Sequence, residues 1–131
     1  MRRRTLITLS ALLLVQVAAL ASDDVGGTYV GTYTNKAGKS GRYQITLTAA
    51  DGRWTGEVVA VLDGRETRSP MTSLVVRGDA IEAAYDFEVQ GHKASSRIRG
   101  QRSGDVLSGT FETLYKGKVV DTGTWKTSLK K

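Results

Sequence analysis

Apolar and polar residues alternate along most of the chain after residue 27, and short turn signals interrupt this alternation at nearly even intervals. The turn signals are Asp51-Gly52, Asp63-Gly64, Gly78-Asp79, Gly91-His92, Ser103-Gly104 and Lys116-Gly117. Alternation with a period of two is typical of half-buried β-strands, and glycine supplies the positive φ that tight turns need. The pattern therefore predicts consecutive antiparallel strands joined by hairpins. Their predicted ranges are 27–34, 42–49, 53–62, 65–76, 80–90, 93–101, 105–115 and 119–129.

The turns also predict how the strands pair, because the length of a hairpin loop fixes the register of its two strands. With Asp51-Gly52 as a two-residue loop, Leu47 lies opposite Gly56 on a face of apolar and small residues. Thr46 and Glu57 then lie opposite each other on a polar face. One register thus sorts both strands into an inner and an outer face.

The later turns extend the same inner face to the following strands. Gly91-His92 and Ser103-Gly104, each taken as a two-residue loop, predict the pairs Val89–Ala94, Phe87–Ser96, Tyr85–Ile98, Gly100–Leu107, Ile98–Gly109 and Ser96–Phe111. On the outer face, this register puts Asp86 opposite Arg97. A strict two-residue loop at Lys116-Gly117 would leave Trp125 facing solvent. We therefore predict a three-residue loop or a bulge there, which brings the indole ring inside.

Glycines stand close to aromatic residues inside several predicted strands, as in Gly27-Thr28-Tyr29 and Gly123-Thr124-Trp125. An interior glycine weakens a strand unless it permits a sharp bend or makes room for a ring from a neighbouring strand. An open meander would also leave two long edges exposed, which closure of the first strand on the last removes. We predict an all-β fold, a single eight-stranded antiparallel up-and-down β-barrel, with a β-sandwich as the alternative. Pro70 is expected to mark a bend or an unpaired edge.

Three segments carry a resemblance to known barrels. They are Thr28-Tyr29-Val30-Gly31-Thr32-Tyr33, Gly104-Asp105-Val106-Leu107-Ser108-Gly109-Thr110-Phe111 and Gly123-Thr124-Trp125-Lys126. In this layout the chain resembles the small calycin-type barrels, which include avidin-like and lipocalin-like domains. The resemblance implies a barrel whose open end binds a small apolar or aromatic ligand. Gly27-Thr28-Tyr29 stands where a lipocalin carries Gly-x-Trp, and the biotin-binding set of an avidin is not found, so biotin binding is not carried over.

The first 21 residues have the layout of a secretory signal peptide. Met1-Arg2-Arg3-Arg4 is basic, residues 6–20 are almost wholly apolar, and Ala19-Leu20-Ala21 is a small-x-small cleavage site. The apolar stretch is short for a membrane span of roughly 20 residues, so we predict cleavage and no membrane span in the mature form. Residues 22–131 then form one β-barrel domain in the periplasm or outside the cell. The general secretory route is simpler than the twin-arginine route, which Arg3-Arg4 loosely resembles.

Charge and composition exclude several partners. The chain has 19 Lys and Arg against 13 Asp and Glu, a formal net charge of +6. Loss of three arginines and no acidic residue with the leader lowers this to +3, which does not indicate a nucleic-acid-binding protein. The absence of cysteine excludes disulfide bonds and means that packing and sheet closure must stabilise the fold.

No catalytic constellation can be assembled from the sequence. His92 is the only histidine, it stands at a predicted turn tip, and no nucleophile or orienting carboxylate accompanies it. Glu82, Asp86 and Glu88 share one face of a strand, but arginines on the next strand oppose or flank them, as in a solvated outer face. We predict that the protein is not an enzyme and that it has no metal site and no cofactor.

Two binding surfaces are predicted instead. The first is an aromatic and hydroxyl-bearing lining of the barrel mouth, formed by Tyr29, Tyr33, Tyr43, Trp54, Tyr85, Ser96, Phe111 and Trp125. These side chains either surround a cavity for a small apolar or aromatic ligand or fill the interior themselves. The second is an outward-facing apolar patch of Val59, Val61, Met71 and Val75, suited to a protein partner or to self-association. The function predicted is that of an exported binding protein, or alternatively of a protein-interaction or inhibitor-like barrel.

Overall fold

A computed structural model describes residues 24–131, so the predicted leader at 1–21 lies outside the described residues. The strands are β1 (Gly27–Asn35), β2 (Ser40–Ala50), β3 (Arg53–Leu62), β4 (Arg65–Arg77), β5 (Ala80–Val89), β6 (His92–Ser103), β7 (Val106–Tyr115) and β8 (Lys118–Leu129). Each lies within a few residues of its predicted range, because alternation and turn residues are local signals of strand extent.

The strands form one closed barrel in the order β1 to β8, and every neighbouring pair is antiparallel. Closure comes from β1, which pairs with β2 on one side and with β8 on the other. On the β8 side, Tyr33 lies opposite Trp125 and Tyr29 opposite Leu129. The predicted up-and-down barrel is confirmed, and the alternative of a β-sandwich is excluded.

Two kinds of tight turn make six of the seven connections between strands, and residues 36–39 join β1 to β2. Both central residues have positive φ, as in type I′ turns, at Asp51-Gly52, Asp63-Gly64, Gln90-Gly91 and Lys116-Gly117. Gly78 and Gly104 have positive φ at the first central position, as type II′ turns require. The twist of both turn types matches the right-handed twist of the strands that they join.

Two predicted registers are wrong by one loop position. The β5–β6 loop is Gln90-Gly91 instead of Gly91-His92, because Gln90 itself adopts a positive φ of 51°. The β6–β7 loop is Gly104-Asp105 instead of Ser103-Gly104. The pairs that replace the predicted ones include Phe87–Ala94, Tyr85–Ser96, Ala83–Ile98, Ile98–Phe111, Gly100–Gly109 and Ser96–Thr113. When a hairpin loop moves by one residue, the cross-strand partner of every residue changes by two positions. Because side chains alternate between the faces with a period of two, each residue keeps its predicted face.

A β-bulge brings the late tryptophan inside, as predicted. The register of β7 and β8 shifts between Thr113 and Leu114, which leaves Val120 as the extra residue of β8. Gly109 consequently lies opposite Trp125, whose side chain is only 2% exposed. The connecting loop itself has two residues, so the bulge and not a longer loop is the correct alternative.

The interior glycines make room for rings from neighbouring strands. A methyl group at any of three inner-face glycines would lie within 2.8 Å of ring atoms of an aromatic side chain. These ring–glycine contacts join Trp125 to Gly100, Phe111 to Gly123 and Tyr33 to Gly41. The rings therefore occupy the space that a side chain at these positions would need, which explains why the chain accepts the conformational cost of glycine inside its strands.

One end of the barrel is sealed by the segment that precedes β1. Val25 is fully buried there, and its carbonyl accepts a hydrogen bond of 3.0 Å from the Tyr29 hydroxyl. Arg102 ties this segment to the β4–β5 turn, since it donates to the Asp24 carbonyl at 2.8 Å and to the Asp79 carboxylate at 2.9 Å. We call this the sealed end, and the opposite end, with the turns at 36–39, 63–64, 90–91 and 116–117, the distal end.

Candidate functional site

The wall of the barrel has an opening at the distal end, between β4 and β5. These strands pair from Met71 opposite Tyr85 to Arg77 opposite Ala80. Within residues 24–131, no residue of 65–70 pairs with β5. Both separated segments remain paired on their other sides, 65–70 with β3 and 86–89 with β6. We call this gap the β4–β5 notch.

Pro70 explains why the ladder ends there. An antiparallel ladder continued beyond Met71 and Tyr85 would bring Pro70 opposite Asp86, and proline has no N–H to donate to that neighbour. A β-bulge between Met71 and Ser73 bends β4 at nearly the same point. The prediction that Pro70 marks a bend or an unpaired edge is therefore confirmed.

The notch holds a cleft of about 350 Å³. Its lining is Thr67, Arg68, Ser69, Asp86, Phe87, Glu88 and Lys93. Thr67, Ser69 and Phe87 belong to the inner face and form its floor, where Ser69 is 4% exposed. The ring of Phe87 lies 6.0 Å from that of Tyr85, so the floor adjoins the core. The volume is at the lower end of the range of roughly 300–1,000 Å³ for small-ligand sites, and the cleft is open to solvent rather than enclosed.

The residues predicted to line the barrel mouth occupy two separate places. Tyr29 and Trp54 lie at the sealed end, where the indole of Trp54 approaches Gly26. The other predicted lining residues lie in the middle and distal parts of the barrel. Consecutive ring contacts join Tyr33 to Tyr43 at 5.6 Å, Tyr33 to Phe111 at 6.0 Å and Tyr43 to Trp125 at 5.9 Å. Most of these side chains are buried against one another, so they form core, and the cleft lies beside them.

The deepest polar contact near the notch is a pair of tyrosine hydroxyls. The hydroxyl oxygens of Tyr43 and Tyr85 lie 2.8 Å apart, and Tyr85 also hydrogen-bonds to Ser96. Burial raises the pKa of Tyr43 well above the ordinary 10.0, and the neighbouring Tyr85 raises it further. Burial also raises the pKa of Tyr85, while its hydrogen bonds to Tyr43 and Ser96 oppose that rise. Both groups are thus held as neutral donors and acceptors.

The tyrosine pair predicts that the barrel loses stability in alkali. A folded-state pKa above the unfolded value of 10.0 contributes stability that is fully present below pH 10 and is lost as the pH rises through the folded pKa. Urea unfolding followed by far-UV circular dichroism between about pH 8 and about pH 11 should show a falling midpoint. Tyrosinate absorbance should rise in step with unfolding. A midpoint that stays constant while both buried tyrosines ionise would contradict this prediction.

The predicted outer patch is not a continuous apolar surface. The prediction that Met71 faces outward is wrong, because the bulge between Met71 and Ser73 turns Met71 toward the core, where it packs next to Gly56. Val59 faces outward but is only 8% exposed, and Val61 is half-buried. Val75 alone of the four is exposed, at 44%. The structure therefore does not bring the predicted patch residues together on one surface.

Other exposed groups cluster on the distal rim. Val119 and Val120 are 47% and 59% exposed, and the second of them is the bulged residue of β8. His92 contacts Tyr115 edge to face, with 5.8 Å between the ring centroids. The Tyr115 hydroxyl lies 3.4 Å from His92 Nδ1. These contacts place the histidine on the rim and away from the floor of the notch.

Several charged side chains of the outer faces form ion pairs, and one predicted pair is wrong. Asp86 lies opposite Ser95, because of the corrected β5–β6 register, while Arg97 instead forms an ion pair with Glu112 at 3.2 Å. The described part of the chain contains no ion pair of Asp86. A carboxylate at the mouth of the notch is therefore available to a ligand.

Among residues 24–131, no group of three or more histidine, cysteine, aspartate or glutamate side chains could hold a metal ion. The same residues include no helix long and apolar enough to cross a membrane. No protein-family model matches this sequence, and no curated protein matches it.

Proposed function

We propose that this chain is an exported, non-enzymatic binding protein whose ligand docks in the β4–β5 notch. The observation that carries the proposal is the early end of the β4–β5 ladder at Met71 and Tyr85, beside a cleft of about 350 Å³ that reaches the inner face. The sealed end is blocked by buried Val25, and the interior beneath the notch is occupied by aromatic side chains. A ligand therefore has access to the inner face at the notch rather than along the barrel axis.

Two ligand classes fit the notch. A small apolar or aromatic molecule would lie on Phe87 and reach toward Tyr85, as kinship with the calycin-type barrels would imply. A segment of a partner protein would use the strand edges on either side of the gap. The proposal also includes cleavage of residues 1–21 as a leader, export of the protein, and a relation to the calycin-type barrels.

A reporter dye placed at the mouth of the notch tests the proposal. Because the chain has no cysteine, a Lys93→Cys variant can be labelled at one position with an environment-sensitive fluorophore. We expect its emission to shift on addition of either the low-molecular-mass filtrate or the retained macromolecules of an envelope extract. The fraction that produces the shift identifies the ligand class.

A Thr124→Cys variant with the same dye is the matched control, because Thr124 is exposed on β8, away from β4 and β5. Its emission should not change with either fraction. If the two labelled variants respond alike, or if neither responds, the notch is not the binding site and the proposal fails.

A further inference from the structure

The two strand edges that border the notch present backbone groups with no partner strand. In a two-residue hairpin the residues that flank the loop exchange hydrogen bonds, and bonded and unbonded pairs then alternate along the ladder. Val89 and Phe87 therefore bond to β6, whereas the N–H and C=O groups of Asp86 and Glu88 point toward β4. The Ala84 carbonyl, which belongs to the same set, accepts a hydrogen bond from Thr72 of β4 at 3.2 Å. This contact shows that the backbone groups of every second residue, including Ala84, Asp86 and Glu88, point toward β4.

The facing edge of β4 is arranged in the same way. Leu62 and Arg65 flank the β3–β4 loop and exchange hydrogen bonds, so Glu66 and Arg68 turn their backbone groups toward the notch. Pro70, the next residue of this set, lacks the N–H that would otherwise stand unpaired. The notch is thus a gap between two strand edges, with donors and acceptors spaced as an added strand would need them.

The side chains on these edges give the gap a negative rim. Glu66, Asp86 and Glu88 make no ion pair within the described chain. Arg68 is already engaged, since its Nη1 atom lies 2.6 Å from a carboxylate oxygen of Glu57. Two cations without an ion pair in the described chain also lie here, Lys93 in the lining and Arg65 at the start of β4. The available carboxylates therefore outnumber the available cations at the strand edges, and basic residues would be attracted there.

We infer that the notch binds an extended segment of another polypeptide, which adds to the edge of β5 as a strand. This inference rests on the proposed function and names its ligand class. Alternate side chains of the segment would face Phe87 and Ser69 and should be small and apolar. The intervening side chains would face outward beside Asp86 and Glu88 and should be lysine or arginine. Main-chain hydrogen bonds supply affinity in this mode of recognition, and the alternation supplies specificity.

The negative rim also argues against a second copy of this chain as the occupant. Two such edges brought together would place unpaired carboxylates beside each other, and like charges directly opposite are destabilising. A partner with basic outward residues removes that repulsion.

Amide hydrogen exchange by NMR tests the inference directly. The probe is a capped hexapeptide of alternating lysine and valine. In the free protein, the amides of Asp86 and Glu88 should exchange fast while those of Phe87 and Val89 are protected by β6. Saturating peptide should protect Asp86 and Glu88. A peptide of alternating glutamate and valine should bind at least about tenfold more weakly at low salt.

Glu88→Pro and Glu88→Ala form a matched pair of variants. Proline removes the N–H that points into the notch and leaves the β6 ladder intact, so we expect binding at least about tenfold weaker. Alanine keeps that N–H and removes the carboxylate, so we expect a loss of about two- to threefold. Should the proline variant unfold, N-methylation of the central peptide amides provides the same test from the ligand side, with the same expected loss.

Several results would overturn the inference. They are failure of the lysine–valine peptide to protect Asp86 and Glu88, equal binding of the two peptides, and binding that neither proline nor N-methylation weakens. Dimerisation through the notch, detected by analytical ultracentrifugation, would assign the edge to a second copy. If the dye at position 93 responds to the low-molecular-mass filtrate and peptides do not bind, the proposed function stands and the peptide inference falls.

Discussion

Replacement of Gly109 by alanine is expected to destabilise the barrel by about 3 kcal/mol or more. Gly109 lies on β7 between Gly100 of β6 and Trp125 of β8. A methyl group at this position would overlap the carbonyl oxygen of Arg99 and would lie 2.8 Å from the Cα atom of Gly100. The atoms in the way are backbone atoms of the next strand, which cannot move aside unless β6 and β7 separate.

Thermal and urea unfolding followed by far-UV circular dichroism measure this effect, and a fall in Tm of roughly 10–20 °C is expected for a domain of this size. Gly52→Asn is the matched control, because Gly52 lies in a type I′ turn with no atom near the added Cβ and asparagine tolerates its φ of 73°. The control should lose no more than about 1 kcal/mol. Equal losses in the two variants would show that the close approach at Gly109 is not what makes glycine necessary there.

Replacement of Trp125 by alanine is expected to cost about 3–5 kcal/mol. The indole is 2% exposed, contacts the ring of Tyr43, and donates a hydrogen bond of 3.0 Å from Nε1 to the Thr110 carbonyl. Its removal leaves a cavity bounded by closed strands, which cannot collapse inward freely. Trp54→Ala is the control for loss of an indole, since Trp54 is only half-buried, and it should cost clearly less.

A double-mutant cycle isolates the contact that holds this ring in place. Alanine at position 100 would bring a methyl group within 2.6 Å of the Trp125 ring, so Gly100→Ala alone should cost about 1–3 kcal/mol. In the Trp125→Ala background the same substitution enters vacant space and should be nearly neutral or stabilising. The coupling is expected to be about 1–3 kcal/mol. Additive effects of the two substitutions would contradict the packing of the ring against Gly100.

The sequence indicated the face of the aromatic side chains but not how their rings pack. The tyrosines and tryptophans were predicted on the inner face, and they lie there, but whether they surround a cavity or fill it depends on how rings from opposite walls meet. Rings such as Tyr43 and Trp125 pack against each other, and the cleft lies to one side of them. Pro70 was the feature of the sequence that indicated a break in the sheet, because proline lacks an N–H whatever the tertiary structure around it.

The outer patch was mispredicted for a related reason. Met71 and Val75 would share a face in a regular strand, since they are separated by an even number of residues. The bulge between Met71 and Ser73 puts them on opposite faces, and no turn residue announces it. The β5–β6 register was wrong by one loop position because Gln90 adopts a conformation usually left to glycine. The β6–β7 register was wrong by one loop position because Gly104 takes the first and not the second position of its loop.

By itself, the sequence determined the number and extent of the strands, their antiparallel order and, away from the bulge in β4, the face on which the side chains lie. These properties depend on the alternation of apolar and polar residues and on turn residues within about a dozen positions. An error of two positions in the cross-strand partner leaves each side chain on the same face. Only the tertiary structure decided on which side of β4 the cleft lies, which side chains line it and which carboxylates there remain unpaired. Those properties depend on contacts between strands whose relative positions are set by barrel closure, by bulges and by the ring–glycine contacts across the interior.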